Sequence, residues 1–189
     1  MESEISLPCP QCSEIGMKML AMTAEIAYFG EHTQITLVCD SCGWKHTDFI
    51  PSDGEKAEFW SISVNSEEKL SVRVIRSSSC TIRIPEMDIE VSPGSSSSGF
   101  VTNVEGVILR FEHAVETILR GTDPLEESGS FNKAESILTD LRAIREGSRI
   151  VTLVLLDPKG RSQILHEEAV SRTLSKDEVD GLETGFELV

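Results

Sequence analysis

Two closely spaced pairs of cysteines constrain the fold of the N-terminal part of this chain more than any other feature. The first pair is Cys9 and Cys12, and the second is Cys39 and Cys42. With two residues between its cysteines, each pair can aim both sulfurs and nearby backbone N–H groups at one ion. Zinc takes four such soft ligands in a tetrahedron with bonds of about 2.3 Å. The sequence therefore predicts one metal site made by these four cysteines.

The stretch between the two pairs has the length and composition of a β-hairpin. Residues 17–27 and 33–38 are strand-like, and residues 44–50 can add a third strand. Gly43 follows the second pair, where the chain often needs a positive φ to leave the turn. We therefore predict a four-cysteine zinc ribbon over residues 1–54.

Other chemistries also use paired cysteines. Disulfides persist in oxidising compartments, whereas this chain has the character of a cytosolic protein. A redox Cys-x-x-Cys pair belongs near a βαβ unit, which two pairs around a hairpin do not resemble. Iron bound as in rubredoxin uses similar turns, and spacing alone does not separate it from zinc. Because all four positions are cysteines, no coordination position stays open, and the predicted site is structural.

The remaining side chains that often serve as ligands or nucleophiles do not form a second site. Cys80 lies in a strand-like run and is interpreted as a small buried hydrophobe. The histidines occur singly, without ligand spacing, and are interpreted as surface or core residues: His32, His46, His113 and His166. No P-loop, Gly-x-Ser-x-Gly or His-Glu-x-x-His motif is present. We therefore expect no catalytic residues and no enzymatic activity.

The charge balance bears on the class of partner. With 17 basic and 32 acidic residues, the formal net charge is −15, and a zinc ion held by four thiolates adds about −2. Nucleic-acid binding draws its affinity from Lys and Arg on phosphates, and Lys18, Lys45 and His46 are too few to make a strong basic patch. The balance disfavours nucleic acid and favours a basic protein partner, or simply keeps the chain in solution.

The sequence gives no sign of a membrane span or a signal peptide. No apolar run approaches the roughly 20 residues that cross a bilayer. The acidic start, Met1-Glu2-Ser3-Glu4, lacks the basic and apolar regions of a signal peptide. The expectation is a cytoplasmic protein without a membrane partner.

The remainder of the chain, residues 55–189, begins with a β-rich pattern. Residues 59–64 and 70–76 alternate apolar and polar side chains, which predicts two half-buried strands with a connecting turn at 65–68. The uninterrupted apolar run at 150–156 indicates a central strand, with 162–165 as its hairpin mate. Shorter strands are expected in three further segments: 80–84, 87–91 and 185–189.

Two helical segments interrupt this β pattern. Apolar residues recur at helical spacing in residues 103–120 and again in 130–147, with Gly121 and Gly147 at the two ends. A Ser-x-x-Glu capping box at Ser175 predicts a further short helix. The fold class is therefore α+β, mainly β, with a helical hairpin at about 103–147 inserted into a β domain.

The chain resembles the ZPR-one type family of zinc-finger proteins in four stretches and in the order in which they occur. The specific features are an Ile-Pro-Glu strand end and a Thr-x-Val-Glu-Gly helix start, downstream of the two cysteine pairs. The matching stretches are Cys9 to Cys12 with Gly16, Cys39 to Trp44, Arg76 to Glu86, and Gly99 to Gly106. The chain is similar to a single-module, archaeal-like form, since eukaryotic members have two modules in tandem.

The resemblance implies a ribbon beside a double-stranded β-helix, or jelly-roll-like, domain with a helical hairpin. Longer members bind translation elongation factor one-alpha and act as its folding chaperone, which implies a protein-interaction module with that partner. The alternative function is a nucleic-acid-binding zinc ribbon of the transcription type. Pro85 and Glu86 are expected to fix a strand-to-turn geometry, and Gly106 to allow close packing. Glu105 is expected to face the helix dipole or a partner.

Overall fold

The structure is a computed structural model that describes residues 2–26, 30–51, 56–94, 97–123 and 128–184. Three sequence predictions fall wholly or partly outside these residues. They are the division between residues 54 and 55, the last residue of the strand predicted at 17–27, and the strand predicted at 185–189.

The cysteine pairs lie at one end of a four-stranded antiparallel sheet. Its strands run in the order β1-β2-β3-β4, with these bounds: β1 Glu2–Pro8, β2 Ile15–Ile26, β3 Gly30–Val38 and β4 Lys45–Pro51. The last three strands confirm the predicted ribbon. β1 was not predicted, and it extends the sheet by pairing with β2. The alternation of the strands buries Met17 and Leu37 against Cys9 and Cys39.

In its described residues, the second unit contains two antiparallel sheets and four helices. Its strands are β5 Glu58–Val64, β6 Arg73–Arg76, β7 Thr81–Ile84, β8 Ile89–Val91, β9 Phe100–Asn103, β10 Val151–Asp157, β11 Gln163–Leu165 and β12 Val170–Thr173. Its helices are α1 Glu67–Leu70, α2 Val104–Gly121, α3 Ser128–Arg145 and α4 Lys176–Asp180, with a 3-10 turn at Pro85–Met87. The sheet orders are β12-β5-β10-β7-β8 and β11-β6-β9. The two sheets and the helices α2 and α3 share one apolar core.

The position of β10 explains its unbroken run of apolar residues. It is the middle strand of the five-stranded sheet, as the sequence predicted. Leu153 and Leu155 face the main core, while Val154 and Leu156 face a smaller cluster under α4. Both faces of the strand are covered, so no position needs a polar side chain.

Two strand predictions were wrong, one in where the strand begins and one in its pairing. The segment 70–76 is a strand only from Arg73, since Glu67–Leu70 forms α1. β6 lies in the three-stranded sheet and not beside β5, so the predicted connecting turn at 65–68 leads from one sheet to the other and includes the start of α1. Likewise, β11 pairs with β6 and not with β10. Alternation identifies the buried face of a strand, but the strand beside it is chosen by long-range packing.

The predicted helical hairpin is confirmed. Asn103 caps α2 by accepting a hydrogen bond from Gly106 N (2.8 Å), and Gly147, with a φ of 69°, follows the end of α3. The apolar stripes of both helices pack into the core, with Leu119 and Ile137 partly buried and Ile118 exposed. Arg145 of α3 pairs with Glu112 (3.3 Å) and Glu105 (3.4 Å) of α2, so Glu105 contributes to hairpin packing. The capping box at Ser175 is also present.

Membrane crossing by a helix receives no support from the described part of the chain. None of its helices has both the length and the apolar character that a membrane span needs.

The turn that follows β10 requires a glycine at position 160. Gly160 has a φ of 64°, and a Cβ there would overlap the backbone carbonyl of Lys56. We expect Gly160→Ala to lower the free energy of unfolding by roughly 3 kcal/mol, because it combines a left-handed backbone with a backbone clash. Chemical denaturation followed by circular dichroism measures the change.

Gly121→Ala is the matched control. A Cβ at Gly121 meets no atom within 4 Å, and alanine suits the last turn of α2 better than glycine does. This control is expected to be neutral or slightly stabilising, and an equal loss in both variants would contradict the prediction.

Candidate metal centre

The four predicted ligands meet in space. The Sγ atoms of Cys9, Cys12, Cys39 and Cys42 all lie within 4.8 Å of one another. The separation is 3.7 Å between Cys9 and Cys42 and 3.6 Å between Cys12 and Cys39. Four sulfurs held about 2.3 Å from a central zinc would stand about 3.8 Å apart along the edges of the tetrahedron. The cluster therefore has the dimensions of a four-thiolate zinc site.

Two matching turns produce this geometry. Ser13 N donates to Cys9 O (2.8 Å), and Gly43 N donates to Cys39 O (2.9 Å). The residue four positions after the first cysteine has a positive φ in both turns, 63° at Ser13 and 74° at Gly43. The prediction of a positive φ at Gly43 is confirmed, and the first turn places a serine in the same conformation.

The electrostatics of the sulfurs favour a bound cation. The backbone N–H of Cys42 makes the largest contribution to lowering the pKa of Cys39 to about 7, and burial opposes it. At Cys12 the backbone N–H of Glu14 lowers the pKa, but burial and the other three thiols outweigh it and raise the pKa to about 12. Four thiolates this close repel one another unless a cation compensates them. A divalent ion would supply that charge, and its binding would release protons.

A buried carboxylate joins the ribbon to the second unit. Asp48 of β4 is only 4% exposed. Its Oδ1 accepts from Ser78 N (2.9 Å), and its Oδ2 accepts from Ser78 Oγ (2.8 Å) and from Arg161 (2.9 Å). These bonds connect β4 to the segment between β6 and β7 and to the turn after β10, which fixes how the two units sit together.

The second buried carboxylate organises the same turn. Asp157, at the end of β10, is fully buried. It accepts hydrogen bonds from the hydroxyls of Ser77 (2.7 Å), Ser79 (2.9 Å) and Ser162 (2.6 Å). It also accepts bonds from two backbone N–H groups, those of Lys159 and Arg161. A carboxylate buried this deeply is tolerated because its lone pairs are fully used.

Arg76 adds further hydrogen bonds to the junction between the two units. Its Nε and one terminal nitrogen donate to Cys80 O (3.1 and 2.7 Å), and its other terminal nitrogen donates to Ser97 Oγ (2.5 Å) and Ser98 O (3.2 Å). The loop containing those serines also meets the ribbon, where Gly99 N donates to Thr47 O (2.6 Å). The run from Arg76 to Cys80 is therefore a polar joint between the ribbon and the β domain.

Comparison with known proteins agrees with this architecture. The family model described as the ZPR1 jelly-roll domain matches residues 68–181. A ZPR1-like protein of Methanocaldococcus jannaschii is 34% identical over 98% of this chain and 93% of its own length. The chain belongs to the ZPR1 family. Residues 68–181, which form most of the second unit, are thus a ZPR1 jelly-roll domain.

Longer members of the ZPR1 family match over part of their length. The zinc finger protein ZPR1 of Bos taurus is 29% identical over 96% of this chain and 42% of its own length. The zinc finger chaperone zpr1 of Schizosaccharomyces pombe is 29% identical over 82% of this chain and 34% of its own length. Their names and the geometry of the sulfur cluster together support one structural zinc.

The other residues that the sequence singled out lie outside the cluster. His32 and His46 are buried, His113 is exposed and His166 is half-buried. Cys80 is fully buried, as predicted, and burial is the largest cause that raises its pKa to about 12. Within the described ranges, the four cysteines are the one group of three or more potential metal ligands.

The structural roles expected from the ZPR1 motif are confirmed. Pro85 begins the 3-10 turn after β7. The carboxylate of Glu86 accepts a bond from Thr152 N (3.0 Å), which ties that turn to β10. A Cβ on Gly106 would overlap Thr102 Oγ1, so the start of α2 does pack closely there.

Sequence reasoning missed the two carboxylates of the junction. Asp48 stands inside a predicted strand, and Asp157 stands in a predicted turn, where an exposed carboxylate is the ordinary expectation. The available signal was the run Ser77 to Ser79 between two strands. Three adjacent serines in a buried segment need acceptors for their hydroxyl groups, and the two carboxylates supply them.

Loss of one ligand tests the metal centre. We expect Cys39→Ser to reduce bound zinc from about one ion per chain to a small fraction, measured by elemental analysis. Because zinc supplies roughly 10–16 kcal/mol to small zinc modules, amides of β1 to β4 should also lose protection from hydrogen exchange. Cys80→Ala removes a thiol outside the cluster, and it should keep the zinc and cost only about 1–2 kcal/mol. Full zinc retention in Cys39→Ser would contradict the assignment.

A second test addresses the junction. We expect Asp48→Asn to lower the free energy of unfolding by roughly 3 kcal/mol, because it removes a carboxylate that is only 4% exposed and is paired with the half-buried Arg161. Denaturant titration measures the loss. Asp140→Asn, which removes the carboxylate from a more exposed pair with Arg149, should cost no more than about 1 kcal/mol. Equal costs would show that the junction contributes no more than a surface ion pair.

Proposed function

We propose that this chain is a zinc-dependent protein-binding module that assists the folding of a translational GTPase, elongation factor one-alpha, in the cytoplasm. The observation that carries the proposal is membership of the ZPR1 family over both the ribbon and the jelly-roll domain. A fission yeast relative is named a zinc finger chaperone. The family resemblance supplies the identity of the partner.

The chemistry of the metal centre supports binding rather than catalysis. Four cysteine ligands leave no coordination position for water or substrate, so the zinc serves to hold the ribbon in shape. The bonds of Asp48 then hold the ribbon against the jelly-roll domain. A partner would meet a preformed surface, which reduces the conformational entropy lost on binding.

The charge of the chain supports a basic protein as the partner. Elongation factors bind RNA and are basic, and this chain carries a formal charge of −15. Opposite charges speed the encounter of two proteins at low salt. We therefore expect association with the factor to slow as the ionic strength rises.

The alternative, a nucleic-acid-binding ribbon, gains no support from two of the few basic residues in the ribbon. Lys18 is paired with Asp40 (2.6 Å), and His46 is buried against Trp44. Nucleic-acid binding that weakens steeply with added salt would favour the alternative over the protein-binding proposal.

Refolding of the proposed partner tests the function. Archaeal elongation factor one-alpha is denatured and diluted into buffer containing the zinc-loaded chain, and the recovery of GTP-binding factor is measured. We expect a higher yield with the wild type and with Cys80→Ala, and no increase with Cys39→Ser, because only the last variant lacks a metal ligand. If the wild-type chain neither binds the factor nor raises its yield, the proposal is wrong.

A further inference from the structure

A groove beside α2 concentrates positive charge in an acidic protein. Its volume is about 460 Å³, within the roughly 300–1,000 Å³ of typical ligand sites. Arg76 and Arg110 both line it, and its described lining contains no Asp or Glu. The walls are largely apolar and come from four elements: Ile82 of β7, Val91 of β8, Phe100 of β9, and Val107, Phe111 and Ala114 of α2.

The guanidinium of Arg110 is held in place while its donors stay available. Its central carbon lies 3.9 Å from the centre of the Phe100 ring, the distance of a face contact. The Arg110 side chain forms no hydrogen bond or ion pair with any part of the chain that the structure describes. A guanidinium stacked on an aromatic ring keeps its fork of N–H groups free for a planar anion.

Neighbouring groups increase the preference of the groove for an anion. Arg76 lies 5.8 Å from the same ring, and all of its hydrogen bonds go to neutral oxygens. Burial is the largest cause acting on Arg76, and it lowers the pKa of that side chain. The charge of Arg110 also lowers this pKa, whereas nearby acidic groups raise it. The hydroxyls of Ser97 and Ser98 act as acceptors for Arg76 and Thr47 N, so their protons can point to an incoming oxygen.

The two acids directly next in sequence to the groove wall are already engaged, and one of them, Glu112 of α2, pairs with Arg145 (3.3 Å). Glu90 of β8, next to Val91, pairs with Arg83 and accepts a bond from Ser92 Oγ (2.9 Å). The Glu90 carboxylate therefore already has partners on β7 and just after β8. The positive charge of the groove has no carboxylate partner among the described residues that line it.

We propose that this groove binds a peptide segment in which an acidic residue stands beside an apolar one. The single available fork, that of Arg110, matches one carboxylate through two parallel hydrogen bonds. The apolar walls would take the neighbouring side chain, and the net charge of −15 repels ligands with several negative charges. The inference does not depend on elongation factor one-alpha, since it concerns a short sequence pattern on any protein.

The test uses the full zinc-loaded chain and two defined peptides, acetyl-Leu-Glu-Leu-amide and acetyl-Leu-Gln-Leu-amide. Nuclear magnetic resonance titration follows the backbone amides of Gly94, Gly99, Phe100 and Arg110. We expect the Glu peptide to shift these signals and the Gln peptide to bind about tenfold or more weakly, since a charge-assisted pair becomes a neutral one.

Two variants, one in the groove and one outside it, each remove one positive charge from α2. Arg110→Gln is expected to weaken the Glu peptide about tenfold or more, while Arg120→Gln, at the far end of the same helix, should leave binding unchanged. Arg110 is exposed, so its substitution should not unfold the chain. Ala114→Trp, which fills the groove without changing charge, should also abolish the shifts.

Three outcomes would overturn the inference. Equal binding of the two peptides would show that the guanidinium does not recognise the carboxylate. Stronger shifts of the same amides by inorganic phosphate than by the Glu peptide would assign the groove to a phosphate group. The absence of shifts with any probe would show that the groove is not a binding site.

Discussion

The hydrogen bonds of the buried carboxylate of Asp48 are the interaction on which the arrangement of this protein depends. The ribbon and the jelly-roll domain have separate apolar cores, and apolar contact alone does not specify one orientation between them. A buried carboxylate must keep its hydrogen-bond partners, since losing one costs several kcal/mol. Ser78 and Arg161 come from two different segments of the jelly-roll domain. Together they define where β4 can sit.

The ribbon needs this attachment and the metal for a common reason. Its buried apolar cluster consists of Met17, Leu37 and two of the cysteines, which is too little to stabilise a sheet of four long strands. Zinc replaces the missing core by fixing both turns at one point. The carboxylate junction then joins β4 to a domain with a full core.

Features that depend on neighbouring residues could be predicted from the sequence, whereas features that depend on long-range packing could not. The cysteine turns, the capping box at Ser175 and the helical hairpin could be predicted because each depends on residues a few positions apart. The partners of β6 and β11 could not, because strand pairing depends on which layer of the core each strand completes. The four-residue strands β9 and β12 also carry too few residues to show a period.

The junction also connects the metal centre to the groove on α2. Zinc fixes the turn that leads into β4, and Thr47 of β4 accepts the backbone bond from Gly99. A Cβ on Gly99 would lie 3.0 Å from the side chain of Phe49, so the loop is pressed closely against the ribbon. Ser97 and Ser98 in that loop hold the guanidinium of Arg76. The wall of the groove is thus built partly on the ribbon, and the shape of the groove depends on a ribbon that zinc has ordered.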